Sequence, residues 1–127
     1  MEDILILAID IGNTNIVVGC IRGDEVLFTE RLSTNTTHTT LEYAISFKNV
    51  LEIYQIDAKE IEGAIISSVV PPITNVIRDS IHKITDAEVL IVGPGVKTGL
   101  NILMDNPKTL GSDLSMRWPA SVNIRFR

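Results

Sequence analysis

A carboxylate, a glycine and three small polar residues stand together in Asp10-Ile11-Gly12-Asn13-Thr14-Asn15, between the apolar runs Ile4–Ala8 and Ile16–Ile21. An aspartate that closes a buried apolar strand costs free energy unless its carboxylate has partners, so the placement implies a job for Asp10. Gly12 lets the backbone approach a ligand closely and can take torsions that other residues avoid. Asn13, Thr14 and Asn15 add amide and hydroxyl donors, and the N–H groups of such a turn can converge into a nest for an anion. The set suits a nucleotide-phosphate and Mg²⁺ site at a β-hairpin, with Asp10 holding the metal directly or through water. It equally suits a hairpin turn in which Asn and Gly serve only steric needs.

A second group of candidates lies farther on. Gly93-Pro94-Gly95-Val96-Lys97-Thr98-Gly99 invites a P-loop reading, which fails because Val96 separates glycine from Lys97. It suits either a glycine loop over a small anionic substrate or a surface loop with a solvated lysine. Asp105-Asn106-Pro107 is turn chemistry, and Gly111-Ser112-Asp113 presents another carboxylate where a helix should start, as a cap or as a reacting group. His38 has no second ligand at metal-site spacing and reads as a solvated loop residue. Cys20, the single cysteine, sits in a strand pattern and reads as a buried thiol.

The elements that must position these residues follow from periodicity. Strands are expected at Ile4–Asp10, Thr14–Ile21 and Glu25–Arg31, the last two joined by an Arg22-Gly23-Asp24 turn, as an antiparallel meander. A polar loop, Ser33–Thr40, leads to a helix over Thr40–Tyr54, with Thr40 as cap and Glu42 in the first turn. Its expected buried face is Leu41, Ala44, Ile45, Phe47, Val50, Leu51 and Tyr54. After a short connection at Asp57–Ile61, a buried strand at Gly63–Val69 carries Ser67 and Ser68. Pro71-Pro72 then opens a second helix with Ile73, Val76, Ile77, Ile81 and Ile84 on one face and His82 off it. Glu88–Val92 is the last strand. The order is β-β-β-α-β-α-β, an α/β fold whose last two strands would add in parallel to give a mixed sheet.

At 45% hydrophobic and 21% charged, the 127 residues have the balance of an ordinary globular domain. The net charge of -5 argues against a nucleic-acid partner. No apolar run reaches the roughly 18 residues of a membrane span, and the N-terminus is acidic where a signal peptide is basic. A soluble, cytoplasmic protein with no membrane partner is the expectation.

This element order, with its phosphate turn in the first hairpin, resembles the ribonuclease-H-like half-domain of the actin, sugar-kinase and chaperone ATPase superfamily. More closely, the chain resembles type III pantothenate kinases. Their Asp-x-Gly-Asn-Thr pattern matches Asp10–Thr14, and Ser-Ser-Val-Val-Pro matches Ser67–Pro71. Gly-Pro-Gly-Val-Lys-Thr-Gly-Leu matches Gly93–Leu100, and Asp-Asn-Pro…Gly-Ala-Asp matches Asp105–Asp113, with Ser112 in place of Ala. The resemblance implies ATP-dependent phosphorylation of pantothenate, the first step of coenzyme A biosynthesis. Asp10, Ile11, Gly12, Asn13, Thr14, Asn15, Ile16 and Val17 would hold the ATP phosphates and Mg²⁺. Gly111, Ser112, Asp113, Leu114 and Met104 would contact pantothenate. Asp113 would be the general base that takes the proton of the primary hydroxyl as it attacks the γ-phosphoryl group. A monovalent cation, K⁺ or NH₄⁺, and a homodimer are further implications for full-length members. A non-catalytic relative acting as a transcription accessory factor, or a degenerate remnant, is the alternative.

Two positions depart from the family pattern: Met104 stands where Tyr is common, and Leu114 where Arg would supply a bidentate carboxylate contact. From Ser115 to Arg127 the character changes, with three arginines, no acid and the only tryptophan. Ser-Met-Arg-Trp-Pro can be encoded by TCG-ATG-CGG-TGG-CCN. Read two bases further on, the same bases give GAT-GCG-GTG-GCC, the Asp-Ala-Val-Ala that the family helix resembles. The expectation is a half-domain at residues 1–114, a frameshifted tail at 115–127, no second half-domain, and little kinase activity for the chain as written.

Overall fold

The structure, a computed structural model, describes residues 4–92. They form β1 (Leu5–Ile11), β2 (Asn15–Arg22), β3 (Glu25–Ser33), α1 (Thr40–Ile53), a 3-10 turn (Ala58–Glu60), β4 (Gly63–Ser68), α2 (Pro71–Ile84) and β5 (Glu88–Val92). The expected order is present. The sheet runs β3-β2-β1-β4-β5, with β1–β2 and β2–β3 antiparallel and β4 and β5 added in parallel, each reached through a helix.

Strand β1 lies in the middle, and Leu5 to Ile9 are buried on both of its faces. This is why its sequence is a continuous apolar run and not an alternation. Leu5, Leu7, Ile9 and Ile11 share one core with Ile16, Val18 and Cys20 of β2, Phe47 and Leu51 of α1, and Ile73, Ile77 and Ile81 of α2. Each such side chain contributes roughly 1.5–3 kcal/mol on burial. Cys20 lies in this core as a free thiol, and burial pushes its pKa up to about 11.

Helix α1 departs from the expected details. Its cap is Thr39, not Thr40. The Thr39 hydroxyl accepts from the Glu42 N–H at 3.2 Å, and the Glu42 carboxylate accepts from the Thr39 N–H at 2.8 Å. This reciprocal pair needs the acid three residues beyond the cap, a spacing that Thr39 meets and Thr40 does not. The bond from Thr39 holds the Glu42 carboxyl below its ordinary pKa. Leu41 and Ile45, expected in the core, are 58% and 51% exposed. Tyr43 is buried in their stead, because its hydroxyl accepts from the Asn35 N–H at 2.9 Å and donates to the Asn35 carbonyl at 2.8 Å. A phenol bonded on both sides leaves no polar group orphaned. Tyr54 lies at the rim: its ring stacks on Phe28 of β3 at 4.3 Å, and its hydroxyl donates to Glu30. His38, expected in solvent, is half-buried with its ring edge-on to Tyr43 at 5.2 Å.

Helix α1 ends with Gln55 in the left-handed region at φ 59, where the Ile56 N–H donates to the Leu51 carbonyl and the Gln55 N–H to that of Glu52. Glycine suits this position better than any residue with a Cβ. Gln55→Gly is therefore expected to raise unfolding stability by about 0.5–1 kcal/mol. Thr39→Ala, which removes the side-chain half of the cap, is expected to lower it by about 1 kcal/mol. Urea unfolding checks both: each should move the midpoint at constant slope.

Candidate phosphate and metal site

The parallel pairing of β1 with β4 brings the ends of both strands to one edge of the sheet, with Asp10 opposite Ser67 and Ile11 opposite Ser68. Ile9 and Ile11 point into the core under the helices, so Asp10 lies on the other face, half-buried, between Val17 of β2 and Ser67 of β4. Ligands of open α/β sheets settle at this carboxyl-terminal edge.

The chain reverses through Gly12–Thr14, with Asn13 and Thr14 exposed. The backbone around the reversal is closely tied. The Gly12 N–H donates to the Asn15 carbonyl at 2.9 Å, and the Val69 N–H donates to the Ile11 carbonyl at 3.0 Å. The loop after β3 adds two more bonds: the Thr34 hydroxyl donates to the Gly12 carbonyl at 2.7 Å, and the Thr34 N–H to the Thr14 carbonyl at 2.9 Å. The need for glycine at position 12 is steric and not torsional. Among the described residues Gly23 is the one glycine with positive φ, whereas a Cβ on Gly12 would stand 3.1 Å from the Asn15 carbonyl oxygen.

The two serines of β4 divide their work. The Ser68 hydroxyl accepts from the Val70 N–H at 2.9 Å and from the Thr74 hydroxyl at 2.8 Å. It thereby substitutes for a side-chain cap on α2, whose N-cap residue is Val70. Ser67 is buried beside Asp10 on the opposite face from the helices. Pro71 and Pro72 fill the first turn of α2 and bring no N–H groups, so this helix start is a poor amide cradle and the hairpin turn is the better one.

Of the residues expected to hold phosphate, Asn13 and Thr14 are exposed, and Asn15 and Val17 are half-buried. The side chains of Ile11 and Ile16 belong to the core, so they can offer a ligand backbone only. Thr34 carried no local signal in the sequence: it stands in a polar loop, and its partner Gly12 is 22 residues away. Among the described residues no three His, Cys, Asp or Glu side chains gather as a metal cage. One carboxylate beside an exposed turn nevertheless fits Mg²⁺, which keeps most of its waters and takes one or two carboxylates plus substrate phosphates. Lys97 and its glycine loop, Met104, Gly111, Ser112, Asp113, Leu114 and the tail from Ser115 lie outside the described residues.

A family model described as type III pantothenate kinase matches residues 6–126. The chain belongs to the type III pantothenate kinase family. The type III pantothenate kinase of Bifidobacterium longum subsp. infantis is 44% identical over 109 residues, 86% of this chain and 43% of that protein. The one from Bifidobacterium animalis subsp. lactis is 44% identical over 110 residues, 87% and 44% of the two chains. The Exiguobacterium sp. enzyme is 41% identical over 109 residues, 86% and 43%. The chain thus spans less than half the length of these type III pantothenate kinases.

Among solved structures, the chain is similar to the ROK hexokinase from Thermus thermophilus, with a TM-score of 0.54 and 15% identity over 71% of this chain and 34% of that one. It is also similar to Thermus thermophilus RuvC in complex with a Holliday junction substrate, with a TM-score of 0.50 and 15% identity over 72% and 65%. These similarities establish the fold, the ribonuclease-H-like half-domain that sugar kinases share. One fold carries both a hexokinase and a Holliday-junction protein, so the chemistry must be argued from the site. Gly12→Ala tests the tightness of that site. The Asn15 carbonyl already accepts from the Gly12 N–H and would have to shift to admit the methyl, so the substitution is expected to cost roughly 1–3 kcal/mol of stability, read by urea unfolding.

Proposed function

We propose that the protein containing this chain phosphorylates pantothenate on its primary hydroxyl with ATP, giving 4'-phosphopantothenate, and that these residues supply the nucleotide-phosphate half of the site. The observation that carries the reading is the β1–β2 turn. Four of its carbonyls are bonded away, its Asn13-Thr14 tip is exposed, and one carboxylate stands at its rim. Phosphoryl transfer asks a protein mainly for positioning and for neutralisation of phosphate charge, and this arrangement suits both.

In this reading the backbone and side chains of Gly12–Asn15 orient the phosphates, and Asp10 holds Mg²⁺, which supplies positive charge to the phosphate oxygens. Asp113 accepts the hydroxyl proton as the new P–O bond forms and the bond to ADP breaks. Gly111, Ser112, Leu114 and Met104 contact pantothenate. A monovalent cation, a homodimer and a cytoplasmic location complete the reading on the strength of family membership.

Pantothenate-dependent release of ADP, measured on the chain and on a version extended to the length of its relatives, tests the proposal. Asp113→Asn is expected to lower turnover about 100-fold or more with Mg²⁺-ATP binding retained. Asp10→Asn is expected to weaken Mg²⁺-ATP binding about tenfold, roughly 1.4 kcal/mol. ADP release that ignores pantothenate, or full activity in both variants, would overturn it.

A further inference from the structure

We infer that Thr34 is a positioning residue for phosphate binding: its hydroxyl and N–H hold the carbonyls of Gly12 and Thr14 back, so that the turn offers an anion donors and not lone pairs. The inference rests on the reading of this turn as a phosphate site.

A hairpin turn contains as many carbonyls as N–H groups, and a carbonyl oxygen facing a phosphate repels it. Each peptide is planar and trans, so its carbonyl and the next residue's N–H point in opposite directions. Fixing the Gly12 carbonyl therefore fixes the Asn13 N–H the other way, and fixing the Thr14 carbonyl does the same for the Asn15 N–H. Four carbonyls around the turn are engaged: Ile11 by the Val69 N–H, Asn15 by the Gly12 N–H, and both Gly12 and Thr14 by Thr34. Thr34 is the one residue that supplies two of these bonds, and the 2.7 Å hydroxyl bond to Gly12 is the shortest of the four. Among the described residues no protein group accepts from the Asn13 N–H. Thr34 is itself held, because the buried Tyr43 hydroxyl bonds both the N–H and the carbonyl of its neighbour Asn35. A rigid path thus runs from the core face of α1 through Asn35 and Thr34 to the peptide whose N–H faces outward at Asn13. Without the hydroxyl, the Gly12–Asn13 peptide can rotate and present its oxygen where the N–H belongs.

The test is an NMR titration of the isotope-labelled 127-residue chain with Mg²⁺-ATP, following the backbone amides. In the unsubstituted chain the Gly12–Asn15 amides are expected to shift. Thr34→Ser, which keeps the hydroxyl, should bind within about twofold of it, and Thr34→Val should bind about fivefold more weakly, with the Asn13 amide response largely lost. Binding by Thr34→Val within about twofold, or Thr34→Ser as weak as Thr34→Val, overturns the positioning role while leaving the phosphate site standing. Absence of any shift at Gly12–Asn15 in the unsubstituted chain overturns the phosphate reading, and the inference with it. Should Thr34→Val give no folded spectrum, Thr34→Ala is judged by the same criteria. If both unfold while Thr34→Ser folds, the hydroxyl is a determinant of the fold and the inference is wrong.

Discussion

The parallel pairing of β1 with β4 is the constraint on which the rest depends. It joins the N-terminal hairpin to the helix-linked half of the sheet, and it brings the ends of the two strands to one edge. The Val69 N–H on the Ile11 carbonyl extends that pairing past the strands themselves. Because β1 continues into the Gly12 turn, the position of the turn is fixed by the same ladder that fixes the core. Burial on both faces of β1 makes a register slip very costly, since it would turn Asp10 into the core and an isoleucine out of it. Fold and site are thus one packing problem.

The helices support this edge from one side. Both lie over the Leu5, Leu7, Ile9 and Ile11 face, and α2 starts beside the site by way of Ser68, Thr74 and two prolines. The start of α1 holds the loop after β3, where Tyr43 and the Thr39–Glu42 box fix the residues that reach back to the turn. The pocket at the other end of α1, lined by Lys48, Glu52, Ile56, Asp57 and Ile84 among others, belongs to helix and loop ends and includes no residue of the β1–β2 turn.

Much of this was legible in the sequence because apolar periodicity is a direct record of burial. The doubly buried β1, the two hydroxyls at the end of β4 and the Pro71-Pro72 helix start all leave local patterns. The face of α1 differs from its apolar periodicity at Leu41, Ile45 and Tyr43, since periodicity weighs a tyrosine as half polar and cannot see that Asn35 satisfies its hydroxyl. The cap is one residue earlier than the sequence suggests, because two threonines adjoin and only the reciprocal bond with Glu42 distinguishes them. The reason for Gly12 is also hidden: torsion is the usual explanation of a turn glycine, whereas here a carbonyl across the hairpin crowds the position a Cβ would take. Thr34 is the deepest such case, for a bond between residues far apart in the chain leaves no trace in spacing.

Cys20 has a consequence of a different kind. Its thiol is enclosed between Leu7 and Phe28 on neighbouring strands, and with its pKa at about 11 it stays protonated in the folded chain at neutral pH. A protonated, enclosed thiol is neither nucleophile nor metal ligand. It becomes reactive only when the central strands separate, so each alkylation of this single cysteine marks one opening of the sheet. As pH rises from the unfolded thiol's 9.0 toward about 11, the unfolded chain sheds this proton first and the fold loses stability. The residue is thus a reporter of the molecule's own breathing, placed by packing alone.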